Sequence, residues 1–277
     1  MKSTLLALGA IALWSLLATL GLMLSHVPPF LLTGLGLLIG SVPAWPLFRQ
    51  WRVPRGTLLL GVYGLFGFHF LLFIALRHAP PVTANLVNYL WPLFIVVLAP
   101  LFLRELRFSL VHAGAAAVGF AGAALAIGAD RGAADATSGE FPWGYLAALA
   151  SAWVWASYSL LTKRVAHFPT AAIGLFGLVS GVLSLLCHVW LETPVSLTAR
   201  DGVLLVLLGL GPLGAAFFLW DAALKRGDPR RIGVLSYLTP LASTLVLVVT
   251  SGRPLTAAIG LAAMLIVGAA GVGLAVR

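Results

Sequence analysis

The stretch Asn85-Leu86-Val87-Asn88-Tyr89-Leu90-Trp91-Pro92 puts two carboxamides, a phenol, an indole and a proline inside an apolar run from Val82 to Leu103. On a helix, positions 85, 88/89 and 92 share one face. Carboxamides donate and accept, which suits a carboxylate or an ammonium. Rings offer stacking and cation–π attraction. Facing lipid, these polar groups would be costly, so the face belongs against protein or along a path for a bound molecule. Interhelical hydrogen bonding is the plainer role for Asn85 and Asn88. A second copy, Ser236-Tyr237-Leu238-Thr239-Pro240-Leu241, keeps the pattern Tyr-Leu-x-Pro-Leu.

Other groups able to do chemistry lie at similar depth in apolar runs. His69 falls mid-way through the third run. The sixth carries Trp153 and Ser157 on one helical face and Trp155, Tyr158 and Thr162 on the adjacent one; one of these faces should line a path. Trp14 mirrors Trp155, and Tyr237 would close the opposite wall. Asp221 is the one acidic candidate inside an apolar run. Four residues before Lys225, it reads as an i,i+4 ion pair or as a proton site or gate. No intramembrane Lys or Arg is available to clamp a carboxylate. An uncharged site suits zwitterions, neutral aromatics or single cations and argues against strongly anionic cargo.

The elements that carry these residues must be membrane helices. The chain is 61% hydrophobic and 9% charged, with a mean hydropathy of +1.04, whereas soluble domains carry about 25% charged residues. Ten runs are long enough to cross a hydrocarbon core of about 30 Å: 4–24, 29–48, 57–76, 82–103, 108–128, 143–162, 170–190, 203–224, 231–250 and 255–275. They are continuously apolar instead of alternating, which excludes a β-barrel. The first is too long for a signal-peptide core and reads as an uncleaved helix. Thirteen Lys/Arg fall on the amino-terminal side of this topology and four (Arg77, Arg131, Arg200, Arg253) on the other. That bias places both termini in the cytoplasm and accounts for the net charge of +9 without nucleic acid. The lone Cys187 excludes an intrachain disulfide. No metal or cofactor signature is credible: Gly209-x-Gly211-x-x-Gly214 matches a dinucleotide fingerprint only formally, with no strand before it and Pro212 inside it.

The chain also repeats. At an offset of 141, Trp14, Pro28, Gly36 and Gly40 fall on Trp155, Pro169, Gly177 and Gly181; at 148, Phe70, Arg77, Pro81, Tyr89 and Pro92 fall on Phe218, Lys225, Pro229, Tyr237 and Pro240. Five spans per half is odd, so the second half enters from the opposite side, as in many secondary transporters. The expected fold class is an all-α integral membrane protein with ten transmembrane helices as two inverted five-helix repeats, residues 1–128 and 143–277, joined by a polar loop at 129–142.

Two five-helix halves, paired Tyr-Leu-x-Pro-Leu copies, and Arg104-Glu105 followed by Gly114 and Gly122 resemble the drug/metabolite transporter superfamily, in its EamA family. The family's Gly-Glu-Arg corner is Arg-Glu-Leu here, and the second half has Gly252-Arg253-Pro254 in its place. The amides and rings of the fourth span are similar to those of the bacterial aromatic amino-acid exporters of that family. The resemblance implies a central cavity and export across the inner membrane by alternating access, with an aromatic or apolar amino acid as cargo. Export of another small metabolite or a cationic aromatic drug, a passive channel, and a membrane-embedded enzyme using His69 and Asp221 are the competing readings.

Overall fold

The computed structural model describes residues 2–79, 81–128, 143–251 and 256–275. The expected connecting loop 129–142 lies outside them, as do Arg131, Arg253 and Arg277 of the charge count. All regular structure among the described residues is helical. Among the described residues, nine stretches are long and apolar enough to cross a bilayer: Lys2–Met23, Pro29–Trp51, Arg55–His78, Ala84–Phe102, Leu110–Ile127, Ala172–Leu191, Ala199–Arg226, Pro229–Thr250 and Ala257–Ala275. The sixth expected span, Trp143–Leu161, is a single helix of 19 residues that is not among them. It is about 28 Å long at 1.5 Å per residue. Its serines and rings lower its apolarity, and Ser151, Trp155, Ser157, Tyr158 and Ser159 are buried in protein.

Most spans are broken, and the breaks follow the chemistry. The first divides into α1 (Lys2–Trp14) and α2 (Leu17–Met23). Ser15 Oγ donates back to the Ala12 carbonyl at 2.7 Å at the break, a bond that competes with the helix ladder and bends it. The second is α3 (Pro29–Ser41) followed by a 3-10 segment, Val42–Trp51. The third is α4 (Arg55–Val62), a π turn at Tyr63–Gly67, then α5 (Phe68–His78). The fourth is α6 (Pro81–Asn88) and α7 (Trp91–Phe102), the fifth is α8 (Leu110–Gly128), and the helix after it is α9 (Trp143–Leu161). Then come α10 (Ala172–Leu191), α11 (Ala199–Leu210), a π turn at Gly211–Ala215, α12 (Ala216–Arg226), α13 (Pro229–Leu235), α14 (Leu238–Ser251) and α15 (Ala257–Ala275).

The irregularities recur at the sequence offset. The π turns at 63–67 and 211–215 are 148 residues apart, as are the ends of α5 and α12. The α6–α7 and α13–α14 breaks fall three residues before Pro92 and Pro240. Each proline lacks the N–H that would bond the carbonyl four residues back. In the second copy the Ser236 carbonyl instead accepts from the Thr239 N–H at 3.0 Å, tightening the turn.

Packing follows the same correspondence: α3 lies against α10, α8 against α15, α1 against α12 and α5 against α9. The matched glycines have different neighbours. Gly181 on α10 faces the Gly34 carbonyl of α3, whereas a methyl group on Gly40 would come within 2.7 Å of the Gly209 and Leu213 carbonyls. The small faces therefore allow α3 to lie between two helices at backbone contact.

Candidate functional site

Four tryptophans from four helices meet in the interior. They are Trp14 at the end of α1, Trp91 at the start of α7, Trp155 on α9 and Trp220 on α12. Every pair among them has ring centroids between 5.2 and 6.4 Å apart. Most meet edge to face, the favoured aromatic geometry. Phe217 touches Trp14 and Trp155 at 6.0 and 5.6 Å, and Phe68 touches Trp155 at 5.2 Å.

Helix irregularity positions two of these rings. The α1 break leaves Trp14 at a helix end, and its Nε1–H donates to the Pro212 carbonyl of the π turn at 3.1 Å. The Tyr89-Leu90 turn makes Trp91 the first residue of α7. Trp220 Nε1–H donates to Ser159 Oγ at 3.1 Å, so a serine of α9 orients it.

His69 closes one side of the cluster. It is buried, its Nδ1 lies 2.6 Å from the Leu65 carbonyl, and its ring meets Phe217 at 6.1 Å. With Nδ1 donating to that carbonyl, Nε2 is left as an acceptor. His69 and Phe217 are related by the 148-residue offset, as Trp14 and Trp155 are by 141. Two pairs of corresponding residues thus touch each other at one place.

The other expected residues divide into three groups. Tyr158 joins the cluster, buried 5.4 Å from Trp155 and against Gly64, where a side chain would meet its ring. Asn85 and Tyr89 are half-buried at the end of α6, joined by the Tyr89 N–H to Asn85 carbonyl bond at 2.9 Å. The remainder take other duties. Asn88 Oδ1 accepts from Ser151 Oγ at 2.8 Å and ties α6 to α9. Ser157 Oγ donates to the Trp153 carbonyl at 2.7 Å and pairs with Tyr63 OH at 2.8 Å. Tyr237 is fully buried against Gly119 and Phe120 of α8, in a separate apolar cluster. Trp153 is 46% exposed on the outer side of α9, touching Phe94 and Phe102, whereas Trp155 is 3% exposed. The face carrying Trp155 and Tyr158 is the one turned inward.

Asp221 sits next to Trp220 but points into an ion pair. Its Oδ2 accepts from Lys225 Nζ at 2.6 Å and from Thr170 Oγ1 at 2.6 Å. Lys225 also donates to the Phe168 carbonyl at 2.8 Å and lies 3.7 Å from the Phe168 ring centroid. Lys163 Nζ donates to the Leu224 and Gly227 carbonyls at 2.7 and 2.9 Å, so the segment after α9 is fastened to the end of α12. Beside this network lies a cavity of about 480 Å³ bordered by Lys163, His167, Thr170 and Arg226. Elsewhere, Glu192 bonds Arg77 at 2.9 Å and His188 at 3.0 Å and accepts from the Phe30 and Leu31 N–H groups opening α3. At the start of α13, burial pushes the Asp228 carboxyl up, but its hydrogen bonds to Arg230 hold it below its ordinary value.

Sequence reasoning passed over Trp220, Phe217 and Phe68 as members of a site. Phe217 was reachable, because the 148-residue offset carries His69 onto it. Trp220 corresponds to Leu72 and Phe68 to Ala216, so the repeat carries no signal for either.

A ring-lined interior on broken helices, with corresponding positions of two halves in contact, is a transporter-like arrangement. The model of the EamA-like transporter family matches residues 1–128 and again 142–274. The chain belongs to the EamA-like transporter family. Among EamA-related proteins, it is 42% identical to the aromatic amino acid exporter YddG of Ancylobacter novellus, over 98% of this chain and 96% of that one. It is 28% identical to the exporter of the same name from Escherichia coli, over 96% and 94%. A probable amino-acid metabolite efflux pump of Salmonella typhimurium is 30% identical over 92% and 89%. A solved crystal structure at 40% identity superposes with a TM-score of 0.91, covering 99% of this chain and 97% of that one.

Proposed function

We propose that this protein exports aromatic amino acids across the bacterial inner membrane, taking the cargo's ring into the tryptophan cluster. The observation that carries this is the mutual contact of Trp14, Trp91, Trp155 and Trp220 at the meeting point of two corresponding residue pairs. The names of the relatives agree with it.

In this reading the chain crosses the membrane ten times, as two inverted five-helix repeats at 1–128 and 143–277 with both termini cytoplasmic. Sites of such transporters lie where the repeats meet, near mid-membrane. Alternating access parts the indoles to open a central cavity, and a phenyl or indole side chain replaces ring–ring contacts with equivalent ones. His69 Nε2, Asn85 and Tyr89 supply polar contacts to the zwitterionic end, and Tyr158 extends the ring wall. The Thr170–Asp221–Lys225 network and the Arg77–Glu192 network act as gates on opposite sides. Among the described residues no carboxylate enters the cluster, and Asp221 is held by Lys225 and Thr170, so a cationic drug would gain ring attraction alone.

Purified protein in liposomes preloaded with unlabelled phenylalanine should accumulate labelled tryptophan by counterflow. Excess phenylalanine should compete, and a quaternary aromatic cation should not. Competition by the cation alone would overturn the cargo assignment.

A further inference from the structure

A groove of about 490 Å³ lies between the first, eighth and ninth spans, lined by Leu13, Leu16, Leu20, Leu207, Leu210 and Val246, with Gly211 and Thr250 among its walls. All of these residues belong to apolar, membrane-length stretches. Leu16, Leu207 and Leu210 are exposed, so the groove opens sideways, away from the interior. Its inner end reaches Leu13 and Pro212, beside the Trp14 Nε1–H to Pro212 carbonyl bond.

The repeat shows what this space lacks. The 148-residue offset carries Tyr63 onto Gly211, Phe94 onto Ala242 and Phe102 onto Thr250; the 141-residue offset carries Ala12 onto Trp153. At the corresponding place in the other half, Trp153 packs on Phe94 and Phe102, and Tyr63 bonds Ser157. Four ring side chains stand there; two of their counterparts, Gly211 and Thr250, line the groove, and the other two are the alanines at 12 and 242. A void of this size forfeits dispersion contacts along its whole lining unless something occupies it.

We infer that the groove holds an acyl chain of a membrane lipid, seated against the α1 break and the Gly211–Ala215 π turn. The lining chooses the occupant. It holds no charged or amide group; Thr250 Oγ1 is spent on the Val246 carbonyl at 2.8 Å, and only Thr19 Oγ1 is buried without a hydrogen-bond partner. A zwitterionic amino acid would leave its charges unpaired there. A hydrocarbon chain leaves nothing unpaired and arrives from the face on which the groove opens.

Proteoliposomes containing phosphatidylglycerol with a photoreactive diazirine on one acyl chain test this without transport. Crosslinks should concentrate on peptides spanning 13–20 and 207–212, several-fold above the exposed face of α10 around Val189 and Trp190. Filling the groove with Thr250→Phe, or the milder Thr250→Leu, should reduce that labelling several-fold while leaving α10 unchanged. Labelling no denser than on α10, undiminished in the folded filled variants, or displaced by free phenylalanine would overturn the proposal.

Discussion

Trp14 and Trp155 are related by the 141-residue offset and meet edge to face with ring centroids 5.9 Å apart. His69 and Phe217, related by 148, meet at 6.1 Å. In the inverted-repeat reading proposed above, such contacts fall close to the axis relating the two halves, and cargo held there would touch both at once.

The tryptophans should therefore matter in pairs. Trp14→Ala and Trp155→Ala should each lower apparent affinity for tryptophan about tenfold, since about 1.4 kcal/mol is a factor of ten and one aromatic contact contributes about 0.5–1.5 kcal/mol beyond burial. Phenylalanine at either position should restore most of it. Trp153→Ala, on the outer side of α9, should leave affinity unchanged. Binding to detergent-purified variants measures all three.

His69→Phe copies the residue that the repeat places at 217. It keeps a ring in the interior, so thermal stability should stay close to the parent. It removes the Nε2 acceptor, and a hydrogen bond to a charged group contributes about 1.5–3 kcal/mol. The KM for phenylalanine should rise by tenfold or more at unchanged Tm. An unchanged KM would show that His69 only packs.

Asn88 and Ser151 form a structural clamp between α6 and α9. Interhelical hydrogen bonds in membranes average about 0.6 kcal/mol. Asn88→Ala and Ser151→Ala should each destabilise modestly, and the double variant should cost no more than either alone plus a few tenths. Unfolding of the four proteins in mixed micelles measures the coupling.

Asp228 accepts from the Arg230 backbone N–H at the start of α13 and pairs with its guanidinium at 2.7 Å. Asp228→Ala should cost about 0.5–2 kcal/mol as a lost cap. Because the folded carboxyl sits below its ordinary value of about 3.9, its stabilisation is complete above that value and fades as pH falls through the folded one. The stability difference between parent and variant should be constant from neutral pH to about 5 and close in stronger acid.

The sequence reads as one helix through 82–103 with 85, 88/89 and 92 on one face, and the breaks at Tyr89 and Tyr237 depart from that reading because Pro92 and Pro240 each remove a hydrogen-bond donor. The correspondence of Trp14 with Trp155 was legible in the repeat, but not that the two rings touch. What was hidden is which way a helix faces. In a membrane both the lipid side and the protein side are apolar, so Trp153 and Trp155, two residues apart, look alike until packing assigns them. Neither Trp220 nor Phe68 has an aromatic counterpart in the other half. The polar duties of Asn88 and Ser157 depended on partners, Ser151 and Tyr63, that no spacing linked to them.

Counterflow of labelled tryptophan into liposomes loaded with unlabelled phenylalanine, run in parallel on the parent and on Trp155→Ala, tests the central claim most directly. Rapid transient accumulation is expected with the parent, and about tenfold weaker uptake at low tryptophan concentration with the correctly folded variant. Equal accumulation by both, or none with the parent, would contradict it.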